Sequence, residues 1–179
     1  MRSKSSDMDR KTLTSRQYFK LLSLIYGVML LAQVGTGTVL FLLRNTQLKV
    51  TPNHEMLSQA LMYIGPFLAF MLPFMGWAIS KQTLKSISLK ESLSEKLRKY
   101  QSNLLLKYAF FEAPTLVLAF GYFLTGNIWF LGAGIGLVLF FLTQAPSKKR
   151  LLKTLPFSPI EEAKLNNPEA EVTELPIKD

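Results

Sequence analysis

Two side chains combine a polar group with an apolar setting that could give them chemistry, Glu112 and Gln33. Glu112 is the one charged side chain inside the run Tyr108 to Leu124. It lies five residues beyond Lys107, or roughly 7–8 Å deeper at helical rise. A carboxylate in such a place is an element of ion and proton pathways, because its charge state responds to what approaches it. Gln33 is an amide within a second apolar run, suited to an ion pathway or to a hydrogen bond between helices. Pro114 stands two residues after Glu112. A helix starting after it would have only the ten residues Thr115 to Leu124, about 15 Å, so helical structure has to continue through the proline. That frees the carbonyl of Phe110 and predicts a kink beside the carboxylate. Pro66 and Pro73 predict kinks in another run. The structural alternative is that Glu112 bonds Gln33, Tyr63 or a backbone group between helices.

Other chemistries are poorly supplied. There is no cysteine, hence no disulfide, cysteine–zinc site or thiol nucleophile, and the single histidine, His54, cannot build a multi-histidine metal site. No P-loop, nucleophile elbow, HExxH or pair of carboxylates occurs in an apolar run. The expectation is a chain with no catalytic residues, no cofactor and no metal.

The elements that position these residues are four apolar runs. The 179 residues are 49% hydrophobic and 18% charged, below the roughly 25% charged of soluble domains. Leu21 to Leu43 and Met56 to Ile79 carry no charge, and at about 1.5 Å per residue each reaches roughly 35 Å, enough for a ~30 Å hydrocarbon core. The third and fourth runs are shorter. Barrel strands alternate apolar and polar residues, whereas these runs are apolar on every face. The first run is too long for a signal peptide and is read as a retained anchor. The predicted fold is an all-α membrane bundle with spans at about 21–43, 56–79, 104–124 and 128–145. Residues 15–165 form its one domain, arranged as four helices or two tandem helical hairpins. Residues 1–14 are expected to be flexible and 166–179 to be a disordered tail, given Pro168, Pro176 and the acidic composition.

Charge orients the bundle. Of 21 lysines and arginines, only Arg44 and Lys49 fall in the connection after the first run, and the turn Thr125-Gly126-Asn127 has none. The other 19 flank the opposite side, which predicts cytoplasmic termini and a cytoplasmic middle connection. The net charge of +9 follows from this asymmetry, so anionic lipid headgroups are the expected partner and nucleic acid is not. A second copy of the chain or another membrane protein also fits.

Several local signals add detail. Leu89, Leu93, Leu97 and Tyr100 form one stripe of a helix in the middle connection, with Lys96 among the polar residues assigned elsewhere. Ser158-Pro159-Ile160-Glu161 has capping-box spacing and predicts a short helix to about Leu165. Gly35-Thr36-Gly37-Thr38 and Gly132 to Gly136 predict small faces for close helix packing. His54, in a first helical turn, reads as a solvated polar residue.

The stretch Tyr108 to Pro114, the turn Leu124-Thr125-Gly126-Asn127 and the exit Pro146-Ser147-Lys148-Lys149-Arg150 resemble small uncharacterised four-helix bacterial inner-membrane proteins. The resemblance covers roughly residues 20–160 and implies a multi-pass inner-membrane protein without implying an activity. A weaker likeness is to the proteolipid ring subunits of rotary ATPases, with Gly132 to Gly136 as glycine face and Glu112 as ion site. The order departs from that pattern, since the carboxylate precedes the glycine-rich helix. The function expected is a non-catalytic accessory or assembly component; the alternative is a small ion- or proton-conducting subunit using Glu112.

Overall fold

The computed structural model describes residues 12–46 and 55–174, which are mostly helical (81%, six helices). The chain runs β1 (Thr12–Thr14), α1 (Ser15–Thr46), α2 (Glu55–Lys85), α3 (Leu93–Thr125), α4 (Ile128–Leu142), α5 (Lys148–Thr154), α6 (Pro159–Asn166) and β2 (Glu171–Glu174). Helix starts are set by short polar side chains that satisfy free backbone N–H groups. Ser92 accepts from Glu95, Asn127 from Trp129, and Ser147 from Arg150. Ser158 and Glu161 form a reciprocal capping box at α6. α3 ends at Gly126, whose φ of 71° is the left-handed cap that glycine adopts without Cβ strain. α2 continues through Pro66 and Pro73, and α3 through Pro114. His54 lies outside the described residues.

α3 is the central helix, packed against α1, α2 and α4, while α1 and α2 scarcely touch each other. The tandem-hairpin arrangement is therefore not what forms. The reason lies in which glycines face a neighbour. A Cβ on Gly76 of α2 would meet the Cβ of Phe110 on α3 at 2.5 Å, and one on Gly65 would meet the ring of Phe130 on α4 at 2.7 Å. Gly121 of α3 is held against the same ring at 2.8 Å. These close approaches fix α2 to α3 at Gly76 and both helices to α4 at Phe130. By contrast Gly35, Gly37, Gly132 and Gly136, expected to mediate packing, have open space where a side chain would stand.

The segment after α6 is ordered by a partner distant in sequence. β2 pairs antiparallel with β1, with Leu13 opposite Thr173 and a bulge between Leu13 and Thr14. Thr12–Thr14, expected to be flexible, and Glu171–Glu174, expected to be disordered, thus form a clasp, and the fold is not purely α-helical. Val172 is buried in the same cluster as Tyr18, Leu97, Leu151 and Leu165. The backbone N–H groups of Ser15 and Arg16 donate to the carbonyls of Ala170 and Pro168 at 2.9 and 3.1 Å. Ser15 Oγ donates to the carbonyl of Leu165 and Tyr18 Oη to that of Leu97, both at 2.8 Å. Composition described the tail as having little to bury; its one apolar residue within β2 and its backbone were enough once β1 supplied the second strand.

Ser15–Thr46, Gln59–Lys85 and Leu93–Thr125 are long and apolar enough to cross a membrane, and Ile128–Leu142 is a shorter apolar helix. Their outward faces carry large exposed apolar side chains, among them Leu31, Phe70, Phe74 and Trp129. A water-soluble monomer rarely exposes contiguous patches beyond a few hundred Å². In lipid the same surface is the solvated one. This is a membrane protein in architecture.

Candidate functional site

An apolar cavity that holds one buried amide lies between α1, α3 and α4, away from the clasp. Its volume is about 480 Å³, within the ~300–1,000 Å³ typical of ligand sites. Gln33, Gly37 and Phe41 form the α1 wall, Gly134 and Leu139 belong to the α4 wall, and Thr115 and Tyr122 come from α3 between them. The walls are almost entirely apolar. Gly37 and Gly134 lower the two rims, since neither projects a side chain into the gap.

Gln33 is 2% exposed, and neither its Oε1 nor its Nε2 has a hydrogen-bond partner. The hydroxyls that α3 brings to the cavity are engaged elsewhere. Thr115 Oγ1 donates to the Phe111 carbonyl at 2.8 Å, one turn back along α3. Tyr122 Oη accepts from Asn45 Nδ2 at 3.3 Å. An amide buried without partners costs several kcal/mol in hydrocarbon-like surroundings, so Gln33 is the group a ligand at this site would satisfy.

Glu112 does not join Gln33. It is half-buried on α3, does not line the cavity, and has no hydrogen-bond or ion-pair partner among the described residues. The expected bond between the two is absent, and Gln33 is not bridging helices. Pro114, fully buried, stands between Glu112 and the cavity-lining Thr115 in sequence. Pro66 and Pro73 contribute no lining side chain. Thr115 and the glycine-lowered rims were not visible as a site in the sequence, although Gly37 and Gly134 belonged to the two small-residue faces that were.

The end of the bundle nearest this cavity is closed by Arg44. Its Nη1 donates to the carbonyls of Phe123 and Leu124 at 2.8 and 3.2 Å, placing a cation at the C-terminal end of α3, where the helix dipole favours it. Gly126 makes room for that guanidinium, since a Cβ there would meet Arg44 Nη2 at 2.5 Å. Among the described residues no group of three or more histidine, aspartate or glutamate side chains is placed to hold a metal ion. No protein-family model, curated protein or solved structure matches this chain.

Proposed function

We propose that this is a non-catalytic four-pass plasma-membrane protein of the accessory or assembly kind, whose groove between α1 and α4 receives a transmembrane helix of another subunit. The observation that carries the reading is Gln33, buried with both amide atoms unpartnered at the base of an apolar groove. Helices associate in lipid through small residues that allow close approach and through polar side chains that bond across the contact. The groove offers both, in Gly37 and Gly134 on its rims and Gln33 beneath. The open positions at Gly35, Gly132 and Gly136 extend the low surface on either side.

Four crossings are supported by the clasp. β1 and β2 meet at one end of the bundle, and Ile87, between α2 and α3, is buried in the cluster beneath them. α4 begins after the opposite turn at Gly126, and its Phe141 packs into that same cluster. The chain thus returns through α4, whose 15 residues span about 22 Å before the flanking residues are added. The basic residues flanking the clasp end favour its cytoplasmic placement.

Native mass measurement in mild detergent tests the groove. The expected result is a complex heavier than one chain, reduced to the single chain by Gly37→Leu with Gly134→Leu, which fill the groove without touching the α2–α3 contact. A wild-type protein that is a single chain, holding only a lipid in the groove, would overturn the proposal.

A further inference from the structure

A second cavity, about 270 Å³, opens at the clasp end of the bundle between α2, α3 and α5. Lys81, Lys85, Lys107 and Arg150 line it, and no carboxylate does. The ion pairs seen among the described residues, Lys96–Glu161 and Lys99–Glu91, leave these four cations uncompensated. Lys107 Nζ spends one donor on Gln144 Oε1 at 2.7 Å, and Arg150 donates to the carbonyls of Ala145 and Thr143 at 3.3 and 3.1 Å. Both keep further N–H groups, since an ammonium has three and a guanidinium five. Two more lining groups are nine-tenths or more buried and incompletely bonded. Tyr100 Oη has no partner, and Asn103 donates to Ser80 Oγ at 2.8 Å while its Oδ1 is free.

We infer that this cavity binds the phosphate of an anionic lipid of the cytoplasmic leaflet. Four cations and a buried phenol donor converge where no acidic side chain answers them, which is the chemistry that recognises a phosphate ester. The lipid source, rather than free phosphate, follows from the wall. Trp77 lines the site and is half-exposed on the outer face of α2, with Lys81 Nζ 4.9 Å from the centre of its ring. An indole beside ammonium groups is the arrangement found at the level of lipid headgroups, with the apolar ring facing the chains. Lys81 and Lys85 repeat at the four-residue helical spacing from Trp77, so one face of α2 carries the chain-facing ring and the phosphate-facing cations.

The inference uses the membrane placement proposed above but not the helix-binding groove. Its test uses full-length protein in nanodiscs of phosphatidylcholine with a trace of spin-labelled phosphatidylglycerol. Wild-type protein should immobilise the anionic lipid and release it about thirtyfold more readily in Lys81→Gln/Lys85→Gln, from two lost cations. Lys148→Gln/Lys149→Gln, equal in charge change but outside the cavity, should behave as wild type. Tyr100→Phe should weaken retention without altering thermal unfolding. Equal immobilisation of phosphatidylcholine, equal loss in the two double variants, or displacement by millimolar inorganic phosphate would each overturn the assignment. Failure of the wild-type protein to enter nanodiscs would instead count against the membrane placement, so the two failures are separable.

Discussion

Lys96 Nζ lies 2.8 Å from Glu161 Oε2 and 3.0 Å from Oε1, joining α3 to α6 through an ammonium that solvent does not reach. Its other contacts are the carbonyl of Leu89 at 3.3 Å and the ring of Phe157, whose centre is 5.7 Å away. Glu161 serves twice, because its Oε2 also accepts from the backbone N–H of Ser158 in the capping box. One carboxylate thus neutralises a buried lysine and starts the helix that carries it. With the β1–β2 pair, this contact holds the polar end of the chain as a folded cap on the apolar bundle.

Removing the carboxylate should be costlier than removing the pair. Glu161→Ala leaves an enclosed ammonium and is expected to destabilise this end by about 3 kcal/mol, whereas Lys96→Met with Glu161→Gln should come closer to wild type. Hydrogen exchange across residues 159–172 reads the difference. Equal protection in Glu161→Ala and wild type would show that the ammonium finds water easily.

The same contact has an acid limit. Burial alone would raise the Glu161 carboxyl, but hydrogen bonds from Lys96 and Ser158 outweigh it and hold the group below the usual carboxylate range. A depressed folded-state value means the unfolded chain takes up the proton first, so the contribution is intact above about pH 4.3 and fades as pH falls further. Protection of α6 and β2 should therefore decline below that pH while the bundle helices stay protected. A flat profile down to pH 3 would contradict this linkage.

Two glycine substitutions should differ sharply. Gly76→Ala drives a methyl group into Phe110 and should cost about 1–3 kcal/mol, because backbone-mounted atoms on two helices have to separate. Gly132→Ala meets nothing within the chain and replaces a flexible residue in a helix interior, so it should be neutral or stabilising by up to about 1 kcal/mol. Thermal unfolding in detergent measures both. A reversed order would mean that α2 and α3 are not held as described.

The absence of cysteine makes topology directly measurable. Leu89→Cys, between α2 and α3, should react with a membrane-impermeant maleimide only in inverted vesicles. Ile128→Cys, exposed at the start of α4, should react only in right-side-out ones. Both labelled from one side would rule out the four-pass orientation drawn from the 19-to-2 charge division.

The sequence was informative wherever a single segment carried its own constraint. Ten residues after Pro114 are too few for a span, which required α3 to run through the proline, as it does. Ser158 and Glu161 announced α6 by spacing alone. Pairings between distant segments were not legible. The clasp joins residues some 160 apart, and neither Thr12–Thr14 nor Glu171–Glu174 has a strong strand pattern by itself. Lys96 was assigned off the apolar stripe because its partner lies 65 residues on, although it sits between Leu93 and Tyr100 on the buried face. Gln33 was picked out as a polar group in an apolar run, but only the spacing of α1 from α4 shows that its amide faces a gap and not a neighbour.

Glu112 supplies the sharpest choice between the accessory and the conducting readings. Since it has no partner among the described residues, Glu112→Gln and Glu112→Ala should each change stability by no more than about 0.5 kcal/mol. Its half-buried position leaves it open to a hydrophobic carbodiimide, and labelling should add only the reagent's mass per chain and leave the number of chains in the assembled complex unchanged. A conducting role requires a different pattern, in which Gln folds normally yet removes a proton flux seen with wild-type vesicles. A structural role in a larger complex requires a third, in which Ala disrupts assembly while Gln preserves it, because only the amide could still bond a partner supplied by the other subunit. Measuring flux and assembled mass on the same two variants separates these cases. The accessory reading expects both variants to match wild type in both measurements, since Gln33, and not Glu112, is the polar group that faces the groove.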